Sequence, residues 1–363
     1  MAAPKFDARE TELDELYGAL AEADLQPLWM QKGLLPATPS PLRPHLWKWH
    51  TLRQLAGRAG DLVGVDRGGD RRVLALSHPD LGGLPFATPT LWAAVQYLNP
   101  GELAPAHRHS PAALRFVIEG SGVWTLVDGD AIVMEPGDLV LTPSFCWHEH
   151  DNPGSEPMIW FDGLDLPLVR NLDAIFFEPG PDTVAPYEHE QRSRAERHYG
   201  TAGLAPLDVQ GTHRSSSSAQ KYSPLLAYRW SATDAHLRSL LAERGGGVAL
   251  RFTDPTTGGD IMPTLRAEMH RLEAGHRTAT ERNVGSSVWL VHRGDGASII
   301  DGIRYRWSSG DIFVVPSWAA FDHEAFEPSD LFRLSDAPVM EALGLGRSEV
   351  LERQQEVGGD AGE

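Results

Sequence analysis

Four histidines fall in two close pairs, His107 with His109 and His148 with His150. Imidazole titrates near ~6.5, and its neutral form offers a lone pair that suits Fe, Zn, Cu or Ni. Spacing decides which of them can meet. Residues two apart on a strand point to one face, so His107 and His109 share a side, and His150 shares one with His148. His148 follows a Gly-Asp turn and a strand-like run, which returns it beside the first pair. Two imidazoles from one strand and a third from its neighbour can converge on one metal ion inside a barrel. A lone histidine is better read as a core or surface residue. The His-x-His pair in a β-rich stretch is what favours a metal centre. Glu149 projects opposite to its histidine neighbours, as a solvated or paired acid, and Cys146 reads as a small buried filler.

The elements that must position these side chains are short. From about residue 71, β-prone runs alternate with turn residues, over 72–76, 90–98, 114–119, 123–127, 131–134, 138–142 and 158–164. Asp128-Gly129 and Pro136-Gly137 mark tight turns. Seven closely spaced strands indicate a sandwich or barrel. Upstream, Leu13, Leu16 and Leu20 predict an amphipathic helix over 8–23. Prolines at 36, 39, 41 and 44 then break the pattern into an irregular, tryptophan-containing stretch. Residues 165–245 are less regular and end in a predicted helix over 232–244, closed by Gly245, Gly246 and Gly247. Strand texture returns over 248–252, 266–273, 286–292, 297–300, 303–307 and 311–315, and the tail after 348 is polar.

The two β regions read as copies. Asp128-Gly129, Gly137-Asp138 and Pro143-Ser144 recur as Asp301-Gly302, Gly310-Asp311 and Pro316-Ser317, each at an offset of 173 residues. Three coincidences in register indicate a duplicated domain. A length of 363 residues accommodates one. Hydrophobic residues make up 41% and charged residues 23%, an ordinary globular balance. No apolar run approaches the ~18–20 residues of a membrane span. The net charge of −18 makes nucleic acid a poor partner. One cysteine and a charged first segment without an apolar run predict a cytoplasmic protein.

At this point the sequence resembles the cupin superfamily. Gly101, His107, His109 and Gly120 fit its first motif, and Gly137, Pro143, His148 and Asn152 its second, with Phe145 in a glycine slot. The usual glutamate ligand is missing, since its place falls at Ala113 or Leu114. In the second copy Glu281 and Asn283 stand where His107 and His109 should be, Phe321 replaces His148, and His323 matches His150. The reading is therefore an all-β-dominated bicupin, two double-stranded β-helix (jelly-roll) barrels, with an N-terminal helical segment. Its parts are a helical and irregular segment over 1–70, a metal-binding cupin over 71–165, a linker with a helix over 166–245, a degenerate second cupin without metal over 246–335, and a tail over 336–363.

The runs at 88–98, 107–120, 147–152 and 161–165 narrow the match. They resemble the gentisate 1,2-dioxygenase family, which includes salicylate and 1-hydroxy-2-naphthoate dioxygenases. The resemblance implies Fe(II), one per chain, on His107, His109 and His148, and a small aromatic hydroxy acid that meets iron and O2. It implies a substrate-orienting or proton-handling role for His150. Arg115 lies an even six residues beyond His109, which keeps it on the metal face if one regular strand runs through both, and there it suits the substrate carboxylate; its alternative is a salt bridge to Glu119 or another acid. The family pattern places Arg71, Trp92, Gln96 and Asp162 at the substrate, and implies a homotetramer. The expected activity is gentisate ring cleavage, with salicylate or 1-hydroxy-2-naphthoate cleavage as the alternative. A metal-dependent isomerase or decarboxylase and a non-enzymatic bicupin are the remoter ones.

Overall fold

The protein is described here from a computed structural model, over residues 8–39, 42–64, 72–180, 193–200 and 222–361. The chain divides into two units, Met1–Pro39 and Ser40–Glu363. In the first, the expected helix forms as Ala8–Glu22. Leu13 and Leu16 lie exposed on it, so this helix buries no continuous apolar stripe within its own unit.

The second unit holds four sheets, two for each copy of the repeat, antiparallel throughout except for the parallel pair of Ile303–Ser308 with Gly359–Asp360. In the first copy one sheet runs in the order Ala227–Tyr228, Leu139–Thr142, Ala113–Glu119, Met158–Leu164, Trp92–Leu98 and Val73–Ala75. The other runs Phe177–Pro179, Leu103–His109, His148–Asp151, Trp124–Val127 and Asp130–Val133. In the second copy the sheets run His45–Trp47, Ile312–Val315, Ser287–Arg293, Ser329–Ser335, Arg266–Leu272 and Gly247–Arg251, and Ser348–Val350, Glu281–Asn283, Phe321–Ala325, Asp295–Ile300, Ile303–Ser308 and Gly359–Asp360. Two cupin barrels result. The Asp-Gly dipeptides do what their chemistry dictates. Asp128 and Gly129 have φ of 47° and 83°, Asp301 and Gly302 of 47° and 80°, the paired left-handed residues of a two-residue hairpin. Phe145 sits at φ 60° and its counterpart Trp318 at φ 67°, which explains why the motif prefers glycine there.

The repeat reaches further upstream than the sequence suggested. The irregular stretch contains a helix, Trp49–Leu62, preceded by the strand His45–Trp47. The second copy has the same arm, the strand Ala227–Tyr228 and the helix Trp230–Arg244. Each arm joins the other copy's barrel. His45–Trp47 pairs with Ile312–Val315, and Ala227–Tyr228 pairs with Leu139–Thr142. The two Gly-Asp turns cap the exchanged helices: Asp311 accepts from the backbone N–H of Trp49 at 2.7 Å, and Asp138 from that of Trp230 at 2.8 Å. Lys48 and Arg229, the residues before these tryptophans, pair with the same two carboxylates. One apolar core runs through both barrels, with Phe116 stacked on Phe332 at 4.4 Å between ring centres.

Candidate metal centre

His107 and His109 close the strand Leu103–His109, and His148 opens the neighbouring strand His148–Asp151. The register sets His107 directly opposite His148. Ring centres lie 4.2 Å apart for His107 and His148, 4.9 Å for His109 and His148, and 5.8 Å for His107 and His109. One nitrogen from each comes within 4.8 Å of the others.

The second nitrogen of each ring fixes what the first can do. Nδ1 of His107 lies 2.9 Å from the carbonyl of Pro105, that of His109 2.7 Å from Pro111, and that of His148 3.0 Å from Cys146. A carbonyl only accepts, so each Nδ1 carries the proton and each Nε2 keeps its lone pair. Nε2 of His148 is buried without a hydrogen-bond partner. Burial holds His109 down at about 4 and His148 well below its ordinary range, so both are neutral near pH 7. Three imidazole nitrogens converging, one from the buried His148 and two from the half-buried His107 and His109, fit a divalent transition metal. No carboxylate joins the group among the described residues; Ala113 and Leu114, at the glutamate slot, are buried and apolar.

His150 is buried one turn of the pleat further on. Its Nδ1 meets the hydroxyl of Thr125 at 2.9 Å, and its Nε2 has no partner. Arg115 is buried, donates to the Thr142 hydroxyl, and lies 3.3 Å from Asp162 across the ladder. Glu119, one expected alternative partner, is instead held by Arg53 and Trp49. Asp162 also accepts from the Trp160 indole at 3.2 Å. Burial raises its carboxyl to about 6, against the pull of Arg115. Gln96 is buried opposite Trp160, and Trp92 opposite Leu164, so both share the inward face of Asp162 and Arg115. Arg71 lies outside the described residues. Glu149 departs from the solvated or paired reading: it is buried, no ion pair or hydrogen bond of its side chain is found among the described residues, and burial raises its carboxyl.

Sequence reasoning missed Thr125, Thr142 and Trp160, which hold the groups it named, and Phe177, whose ring stacks on His107 at 5.5 Å. Trp160 was legible in principle, two residues from Asp162 on one strand. The threonines and Phe177 come from other strands, and no local pattern marks them.

A cupin domain family matches residues 94–164. Along its length the chain is 51% identical to a gentisate 1,2-dioxygenase of Streptomyces sp, covering 93% of this chain and 95% of that protein. The chain belongs to the gentisate 1,2-dioxygenase family. It is a ring-cleaving dioxygenase of the bicupin type. The family extends to a 1-hydroxy-2-naphthoate 1,2-dioxygenase of Nocardioides sp., 32% identical over 83% of this chain and 77% of that protein. Among solved structures, a salicylate 1,2-dioxygenase of Pseudaminobacter salicylatoxidans superposes with a TM-score of 0.89 at 47% identity, covering 96% of this chain and 100% of that one. The family's second barrel is present here too. Glu281 pairs with Phe321 in the register where His107 pairs with His148, so that barrel lacks the three imidazoles.

Proposed function

We propose that the protein is an iron(II)-dependent gentisate 1,2-dioxygenase, which opens gentisate with O2 between the carboxyl-bearing and hydroxyl-bearing ring carbons to give maleylpyruvate. The observation that carries this reading is the three-histidine cluster with every Nδ1 tied to a carbonyl, in a chain half identical to a relative of that name. His107, His109 and His148 would hold the iron through Nε2, one ion per chain. Bound there, iron(II) supplies the electron transfer between ring and dioxygen. The chain's own residues bind and orient. Arg115 takes the substrate carboxylate, steadied by Thr142 and Asp162. Asp162 stands at the distal edge of the ring, and Trp92 and Gln96 line its side. Thr125 holds His150 so that Nε2 is free to receive the phenolic proton. We assign Arg71 a second contact to the carboxylate. As part of the same reading the enzyme is a cytoplasmic homotetramer; no helix among the described residues is long and apolar enough to cross a membrane.

A second reading, salicylate cleavage, is favoured by the salicylate dioxygenase structures at 46–47% identity. One experiment addresses both. Protein purified without oxygen is assayed for metal, then for oxygen uptake with gentisate, salicylate and 1-hydroxy-2-naphthoate. The expected result is about one iron per chain and the highest kcat/KM on gentisate. Iron-loaded protein that consumes salicylate but not gentisate would replace the first reading by the second, and none of the three consumed would overturn both.

A further inference from the structure

The second barrel keeps the mouth of the first and refits it. Ser348 lies against Asn283 as Phe177 lies against His109. Arg333 stands between Glu268 and Trp289 as Asp162 stands between Ala94 and Arg115. At this place a cavity of about 400 Å³ opens, lined among others by Arg333, Ser335, Glu268, Glu281, Asn283 and Arg347. That volume lies within the ~300–1,000 Å³ of small-molecule sites.

Its open polar groups are specific. Ser335 is only 2% exposed and its hydroxyl has no hydrogen-bond partner. Arg333 donates through Nη1 to Glu268 at 3.0 Å, but its buried Nε has no acceptor. Residues 333 and 335 are two apart on one strand, so both donors share a face. The carboxylate of Glu281 and the amide of Asn283, two apart on the strand Glu281–Asn283, have no hydrogen bond or ion pair among the described residues. Arg266, by contrast, is engaged by Asp260 and Glu341. Buried donors without acceptors are rare and costly, and a cavity that retains them is shaped for a ligand that supplies them. Glu281 and Glu268 disfavour a multiply charged anion, and Arg333 and Arg347 disfavour a simple cation. A ligand with one carboxylate and neighbouring hydroxyls answers both sets.

We propose that the second barrel binds a small hydroxylated carboxylic acid, its carboxylate on Arg333 and Ser335 and its hydroxyl on Glu281 and Asn283. The site is separate from the three-histidine centre and stands whichever ring substrate that centre takes. The test is calorimetric titration of the full-length protein with lactate, glycerate and gluconate, with propionate and glycerol as probes lacking the hydroxyl or the carboxylate. At least one hydroxy acid should bind once per chain, about tenfold or more tighter than propionate or glycerol. Ser335→Ala and Glu281→Gln should each weaken it about tenfold while melting temperature and iron loading stay those of the parent. His148→Ala, which alters only the other barrel, should leave it unchanged. No saturation by any of the three acids up to about 20 mM overturns the proposal. So does equal binding of propionate, or binding that His148→Ala abolishes and the two second-barrel variants leave intact.

Discussion

Arg115 owes both its place and its behaviour to neighbours that come from elsewhere in the chain. Its nearness to the histidines is legible in the sequence, but its inward direction does not follow from the even spacing to His109, because that strand ends at His109 and Arg115 belongs to Ala113–Glu119 in the barrel's other sheet. The carboxylate beside it is not legible either, because Glu119 is four residues away and Asp162 is forty-seven, yet the ladder brings Asp162 to 3.3 Å and Glu119 turns to Arg53. Burial makes the charged form of Arg115 costly, so its guanidinium needs an acid beside it, and the substrate carboxylate we propose for it would be a second one. Arg115→Lys keeps the charge and loses the planar fork. We expect kcat/KM for gentisate to fall about ten- to a hundredfold, the equivalent of ~1.5–3 kcal/mol, with iron content unchanged. A variant that melts earlier yet turns over normally once folded would confine Arg115 to pairing with Asp162.

At the scale of elements, the hairpins were readable and the histidine strand was less so. Asp-Gly at both repeats needs two left-handed residues, a demand few dipeptides meet, and this is why three coincidences sufficed to expose the duplication. The strand Leu103–His109 contains Pro105, and its pairing with His148–Asp151 slips between Ala104 and His107. A proline and a bulge erase the alternation that marks a strand. The helix Trp49–Leu62 was hidden for another reason. Lys48 supplies no side-chain cap, Gly57 and Gly60 lower its propensity, and its cap is Asp311, 262 residues away. Asp311→Ala should therefore destabilise the protein by about 1–2 kcal/mol, through loss of the cap and of the Lys48 contact. Urea midpoints measure it, and an unchanged midpoint would mean the helix start does not depend on that carboxylate.

The whole molecule is joined where the barrels face each other. His292 lies there, with Phe116 at 5.3 Å and Trp230 at 4.4 Å between ring centres, and with Asp330, Asp234, Arg271 and Arg293 around it. Burial lowers it from 6.5 to about 4. The unfolded chain then binds this proton first as pH falls. The stabilisation is complete above 6.5 and lost progressively towards 4, to the extent of about 3 kcal/mol. Asp162 and Asp165, both raised to about 6, act in the opposite sense: what they contribute is present below 3.8 and lost as pH rises through 6. We expect the slope of stability against pH between 6.5 and 4.5, read by urea unfolding, to change in His292→Phe by about one proton's worth, in favour of stability at the acid end. An unaltered slope in that variant would assign the acid sensitivity to other groups. The exchanged arms also set a timetable for synthesis. A first barrel emerging from the ribosome lacks its edge strand until residue 228 is made. The arm at 45–62 waits longer, since its partners Ile312–Val315 and Asp311 come about 250 residues later, on the order of 10–50 s at ~5–20 residues per second. For that interval the nascent chain carries an unpaired strand and an uncapped helix start, so the first half of the polypeptide can be complete in sequence and still wait for the second to finish its fold.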